Sequence, residues 1–124
     1  MGAVAYEGDL ATYADDVAGR AVEMWGRDGV LERTHATPFG ELPGSTVIFF
    51  PTVDGFVHAW DLSASVGKAI EFRPESIPTV AAIVEATCND AARSAGIIKA
   101  PTQPPADATD TERLMALAGR TIPR

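Results

Sequence analysis

The segment STVIFFPTVDGFVHAWDLSASVG, residues 45–67, decides how the rest of the chain is read. Taken as a helix it is apolar almost all round, through Val47, Ile48, Phe49, Phe50, Val53, Phe56, Val57, Trp60 and Leu62. A helix of that kind belongs in the middle of a bundle. The exceptions are polar and spaced. Asp54 and His58 stand four residues apart and stack on one face, and Asp61 follows three residues later. A carboxylate, an imidazole and a second carboxylate on one stripe of a buried helix are costly unless they are paired or coordinated. Two donors at i and i+4 can share a metal ion, as the two histidines of H-E-x-x-H do. The alternative is a core histidine hydrogen-bonded to Asp54, with no metal. Structural zinc takes four protein ligands and catalytic zinc three plus an open position. This segment supplies two or three, so a metal here needs a donor from elsewhere.

Pro51 is the awkward residue in that helix. Inside a helix proline removes a backbone hydrogen bond and meets the preceding turn, at a cost of about 3 kcal/mol. Either the helix kinks there or the helix proper begins near Pro51 as its first position. The apolar pattern continues across it, so the preferred expectation is one helix kinked at Pro51 and closed by Gly67.

Around this centre the periodicity predicts further helices. Leu10, Tyr13, Ala14, Val17, Ala18, Ala21, Met24 and Trp25 recur at helical spacing over residues 10–25, with Asp9 as a cap and Gly26 as a stop. Residues 30–42 read as an extended connector, with room for two short strands turning near Phe39-Gly40. His35 lies in that connector, either as an exposed loop histidine or as a substitute metal ligand. Pro74-Glu75-Ser76 opens a helix expected to run to residue 94. Pro101, Pro104 and Pro105 keep residues 97–108 irregular. Thr109 with Glu112 makes a capping box for a final helix over residues 110–118, closed by Gly119-Arg120.

The block Asp54-Gly55-Phe56-Val57-His58-Ala59-Trp60-Asp61-Leu62 resembles the D-x-x-x-H-x-W-D-L signature of the DinB-like metal-binding family. The nearest branch is the actinobacterial one grouped with mycothiol-dependent maleylpyruvate isomerase. The approach Thr37-Pro38-Phe39-Gly40-Glu41-Leu42-Pro43-Gly44 and the closing stretch 110–120 are similar to the same family, so the resemblance covers most of the chain from about Ala11. It implies an all-α fold, a DinB-like helical bundle, in a single domain over residues 1–124. It also implies a divalent metal, zinc above all, with His58 and Asp54 as ligands and Asp61 behind them accepting a hydrogen bond. Such a metal would ionise a low-molecular-weight thiol such as mycothiol, as co-substrate for a transferase or isomerase acting on a small electrophile. The family's first metal-binding histidine, on an early helix, has no counterpart here. The expectation is therefore a domain lacking its N-terminal helices. The competing reading is a non-catalytic remnant or dimerising interaction module without a complete metal site, a homodimer covering its apolar faces.

Composition narrows the classes. With 124 residues and 46% hydrophobic content the chain suits one small core. A net charge of −7, with Lys68 and Lys99 the only lysines, disfavours nucleic acid and anionic membrane as partners. Cys88 is the single cysteine, which precludes an internal disulfide and fits a reducing compartment. No leader pattern follows Met1, and the most apolar stretch is too short to span a bilayer, so a cytoplasmic location is expected.

Overall fold

Asp9 opens the first element of the chain. Its backbone is extended and its carboxylate accepts from the Thr12 amide at 2.9 Å and the Thr12 hydroxyl at 2.6 Å, satisfying donors that a helix start leaves orphaned. Helix α1 then runs Leu10–Trp25, as the periodicity predicts. Exposed pairs Arg20–Asp16 and Arg27–Glu23 lie along it at i, i+4 and add a few tenths of a kcal/mol each, roughly. The computed structural model describes residues 7–123, which fall into two compact units divided between Ile48 and Phe49.

The first unit continues as an antiparallel hairpin. Strand β1, Thr34–Thr37, pairs with β2, Gly40–Pro43, in a register that sets His35 opposite Leu42. The short helix α2, Gly44–Val47, packs on this hairpin. Gly44 is required there: a Cβ on it would lie 2.2 Å from the Val30 carbonyl oxygen and 2.9 Å from the Leu31 Cα.

In the second unit the structure corrects the reading of residues 45–67. They do not form one kinked helix. The helix is interrupted at Ile48, and α3 runs Phe49–Ser65. The physical reason is Pro51: in an unbroken helix its ring would clash with the carbonyl four residues back, and it has no amide to donate there. Breaking at Ile48 makes Pro51 the third residue of α3, where the missing N–H has no intrahelical partner to lose. Nor is α3 enclosed on all sides. Only Val57 and Trp60 are buried, Phe50 and Phe56 are half-buried, and Leu62 is 72% exposed. Asp54 and His58 are exposed, so they incur little burial cost, and the half-buried Asp61 is ion-paired.

The expected helix over 74–94 is also divided. A 3₁₀ turn, Pro74–Ser76, leads into α4, Ile77–Thr87, and a separate α5 covers Asp90–Ser94. Asn89 causes the break. Its side chain accepts from the Ala92 amide at 3.0 Å and caps α5, a local bond that competes with continuing α4.

The core of this unit joins Val57 and Trp60 of α3, Val80, Val84 and Cys88 at α4, and Leu114, Met115 and Ala116 of α6, Asp110–Leu117. Met115 is fully buried. Thr111, 1% exposed, accepts from the Phe72 amide at 2.9 Å, and the Phe72 ring meets Phe56 edge-on at 4.9 Å. Helix α6 begins with the expected capping box: the Thr109 hydroxyl accepts from the Glu112 amide at 3.2 Å and the Glu112 carboxylate from the Thr109 amide at 2.9 Å. It ends on Gly119 at φ +82°, with the Gly119 amide on the Ala116 carbonyl and the Arg120 amide on the Met115 carbonyl. That pair of bonds is a Schellman closure. The architecture is mostly helical with one two-stranded hairpin, and no helix among the described residues is long and apolar enough to cross a membrane.

Candidate functional site

The second unit has a cavity of about 880 Å³. One wall is α3, through Phe50, Val53, Asp54, Val57, His58 and Asp61. The others are Thr87 and Cys88 at the end of α4, residues 97–102, and residues 119–121 after α6. The lining divides into an apolar part, with Phe50, Val53, Ile97, Ile98 and Pro101, and a polar part, with Asp54, His58, Asp61, Lys99 and Arg120. A cleft with an apolar body and a few convergent polar groups is the usual form of a small-molecule site.

The spacing read from the sequence therefore brings Asp54 and His58 to one face of one helix, opening on one cavity. Their surroundings differ from both sequence readings. The His58 side chain is 67% exposed, so it is no core histidine, and its bonded carboxylate is Asp61 instead of Asp54. His58 Nδ1 lies 3.2 Å from Asp61 Oδ2. An ionised carboxylate only accepts, so Nδ1 carries a proton, and in the neutral ring Nε2 is then the nitrogen with the lone pair.

Asp61 is held in turn by a residue that the sequence reading treated only as a helix stop. Arg120 donates from Nε to Asp61 Oδ1 at 3.1 Å and from Nη2 to Oδ2 at 2.8 Å. Its remaining terminal nitrogen, Nη1, donates to the Ala118 carbonyl at 2.9 Å. The guanidinium, and after it the His58 imidazole, hold the Asp61 carboxyl below its ordinary range, against an opposing effect of partial burial. Asp61 reciprocally raises the Arg120 pKa above its ordinary value. Arg120 is fixed through its main chain as well. Its amide closes α6, and its carbonyl accepts from the Thr102 hydroxyl on the opposite rim. The sequence signal for this role was an arginine directly after the glycine that ends α6, the position that a Schellman closure turns back toward the bundle.

His35 belongs to the first unit and is neither an exposed loop residue nor free to ligate through both nitrogens. It sits half-buried on β1, with Nε2 at 3.0 Å from the Val30 carbonyl and its ring edge-on to Trp25 at 6.2 Å. Cys88 is buried at the foot of the cavity, with the Thr87 hydroxyl 3.9 Å from its sulfur. Among the described residues, no three His, Cys, Asp or Glu side chains assemble as a metal-binding group. Asp54 and His58 thus offer a metal two protein donors, and one of them is an imidazole already oriented by a carboxylate, the usual support for a histidine ligand.

Two proteins of Mycobacterium tuberculosis are similar to this chain: uncharacterized protein MT0763 of strain CDC 1551 / Oshkosh and uncharacterized protein Rv0738 of strain ATCC 25618 / H37Rv. Each is 32% identical over 103 residues, a stretch that takes up 82% of this chain and 57% of theirs. The chain thus spans little more than half the length of the curated relatives it matches. No protein-family model matches the chain, and no solved structure matches it.

Proposed function

We propose that the cleft is a divalent-metal site of the DinB-like, mycothiol-dependent type, with His58 Nε2 and Asp54 as the protein donors. The observation that carries this reading is the His58 geometry: Nδ1 is occupied by Asp61, and Nε2 stays available on the face that also bears Asp54 and opens on the cavity. Zinc suits an imidazole with a carboxylate. Two donors are fewer than the three of a catalytic zinc site, so the remaining positions fall to water or to a thiol. A divalent metal bound there would supply the ionisation of a low-molecular-weight thiol, making a nucleophile for transfer or isomerisation on a small electrophile. The chain's own contribution is positional. Asp61 keeps the proton on Nδ1, while Phe50, Val53, Ile97 and Ile98 offer an apolar bed to the organic part of a substrate.

Cobalt is the practical probe, because its absorption reports bound nitrogen and sulfur donors. Titration of the 124-residue chain is expected to give weak binding that tightens when a low-molecular-weight thiol is added. His58→Ala is expected to abolish it and Asp54→Asn to weaken it. Binding that survives His58→Ala overturns the assignment.

A second reading, an interaction module, rests on α1. That helix buries no side chain, and Leu10 and Val22 are 69% and 75% exposed. Surface of this kind marks an association face when it is contiguous. A chain that light scattering finds to be a stable monomer across concentration removes this reading.

A further inference from the structure

We propose that Arg120 is a positioning residue for His58: by gripping Asp61 at two points it fixes which nitrogen of the imidazole is left free. His58 and Asp61 face each other from adjacent turns of α3, at the open side of the cleft. A carboxylate in that setting turns freely about its last side-chain bond and exchanges its partners for water, so an exposed imidazole–carboxylate pair alone specifies little. Arg120 removes that freedom. Its fork takes one hydrogen bond to each carboxylate oxygen, which sets the plane of the group and leaves Oδ2 directed at both Nη2 and His58 Nδ1.

The fork is itself anchored. Nη1 is tied to the Ala118 carbonyl, the Arg120 amide to the Met115 carbonyl, and the Arg120 carbonyl to the Thr102 hydroxyl. The chain of contacts runs from the backbone end of α6, through one guanidinium and one carboxylate, to one ring nitrogen. Lysine cannot substitute, since its three donors rotate on one nitrogen and form no fixed planar fork.

The inference shares with the proposed function only the identity of the working nitrogen, so its test is made without metal. Long-range proton–nitrogen NMR of the intact chain, with chelator present and at about pH 9, above the ordinary imidazole range, reads the tautomer of His58 directly. The unmodified chain is expected to hold the proton on Nδ1. In Arg120→Gln the ratio of Nδ1–H to Nε2–H is expected to fall about two- to fivefold, the range that one exposed charged hydrogen bond supports. Arg120→Lys is expected to give a fall of the same order, which a purely electrostatic role for Arg120 would not produce. Backbone amide spectra check that each variant is folded. Should Arg120→Gln fail to fold, Arg120→Lys decides. A folded variant with an unchanged tautomer ratio overturns the inference, whatever the metal titration gives. A shifted ratio with no metal binding leaves the positioning role in place and removes the metal site.

Discussion

Arg120 and Asp61 lie fifty-nine positions apart and meet in a two-point contact, Nε to Oδ1 at 3.1 Å and Nη2 to Oδ2 at 2.8 Å. The contact joins the turn after α6 to the C-terminal part of α3, and its strength depends on pH with a definite sign. In the folded chain the Asp61 carboxyl titrates below its ordinary value of 3.8. Below that value the unfolded chain takes up a proton that the folded chain still refuses, so stability rises with pH through this window. The contribution is full well above pH 3.8 and is lost as pH falls through the folded-state value. Urea denaturation at a series of pH values is expected to give Asp61→Asn a deficit of roughly 1 kcal/mol near neutrality. The deficit should shrink toward zero in acid. A constant deficit would mean that charge is not what Asp61 contributes.

Gly119→Ala should destabilise the second unit by roughly 1–3 kcal/mol, since an L side chain is strained at positive φ. The new methyl also has little room, 2.9 Å from the Lys99 carbonyl oxygen and 3.2 Å from that of Ala100. Thermal or urea unfolding measures the loss. If the Arg120–Asp61 contact yields with the turn, the His58 resonances shift in the same variant.

Thr111→Val leaves the Phe72 amide without its acceptor beside a residue that is 1% exposed. The expected cost is about 1–3 kcal/mol, the usual penalty for an orphaned buried donor. Thr111→Ser keeps the oxygen and should recover most of it. A loss in Thr111→Ser as large as that in Thr111→Val would mean that the Phe72 hydrogen bond is not what Thr111 contributes.

His35→Ala should leave cobalt binding unchanged and cost the first unit about 1 kcal/mol through loss of the Val30 carbonyl contact, together with packing on Trp25. Paired titration and hydrogen exchange separate these effects. Cobalt affinity that falls with His35 would identify it as a ligand and require the Val30 bond to open.

What could be read from the sequence was whatever is encoded locally. Helix α1 follows from an apolar period of 3.6 and a cap at Asp9, and α6 from Thr109 and Glu112, all within a few residues of the element they define. The hairpin followed from turn residues at Pro38-Phe39-Gly40. The division of α4 from α5 escaped because apolar periodicity runs through Cys88, whereas the break comes from an Asn89 side chain binding backbone, to which a periodic pattern is blind. Likewise the continuity of apolar residues across Pro51 outweighed its ring in the reading, although an unbroken helix cannot accommodate that ring and α3 begins only at Phe49.

The candidate site was legible to the same extent and for the same reason. Asp54 and His58 share a face because i, i+4 spacing requires it once the helix is given. Which carboxylate holds His58 depends on a distant arginine, and no spacing rule reaches from Asp61 to Arg120. His35 was open to two readings because its environment, Val30 and Trp25, is made by the fold of the first unit.

The bonds that deliver Arg120 to the cleft have a consequence for divergence. The Arg120 amide, its carbonyl and the Gly119 amide each meet main chain or a hydroxyl, and the approach of residues 97–102 is tied by the Thr102 amide on the Ala116 carbonyl at 2.9 Å. Side chains on the exposed surface of α6 take no part in that placement. Substitutions there can accumulate while the guanidinium keeps its position, so homologous chains can differ at the exposed positions of this helix and inherit the same cleft, provided that a glycine, an arginine and the α3 carboxylate persist together.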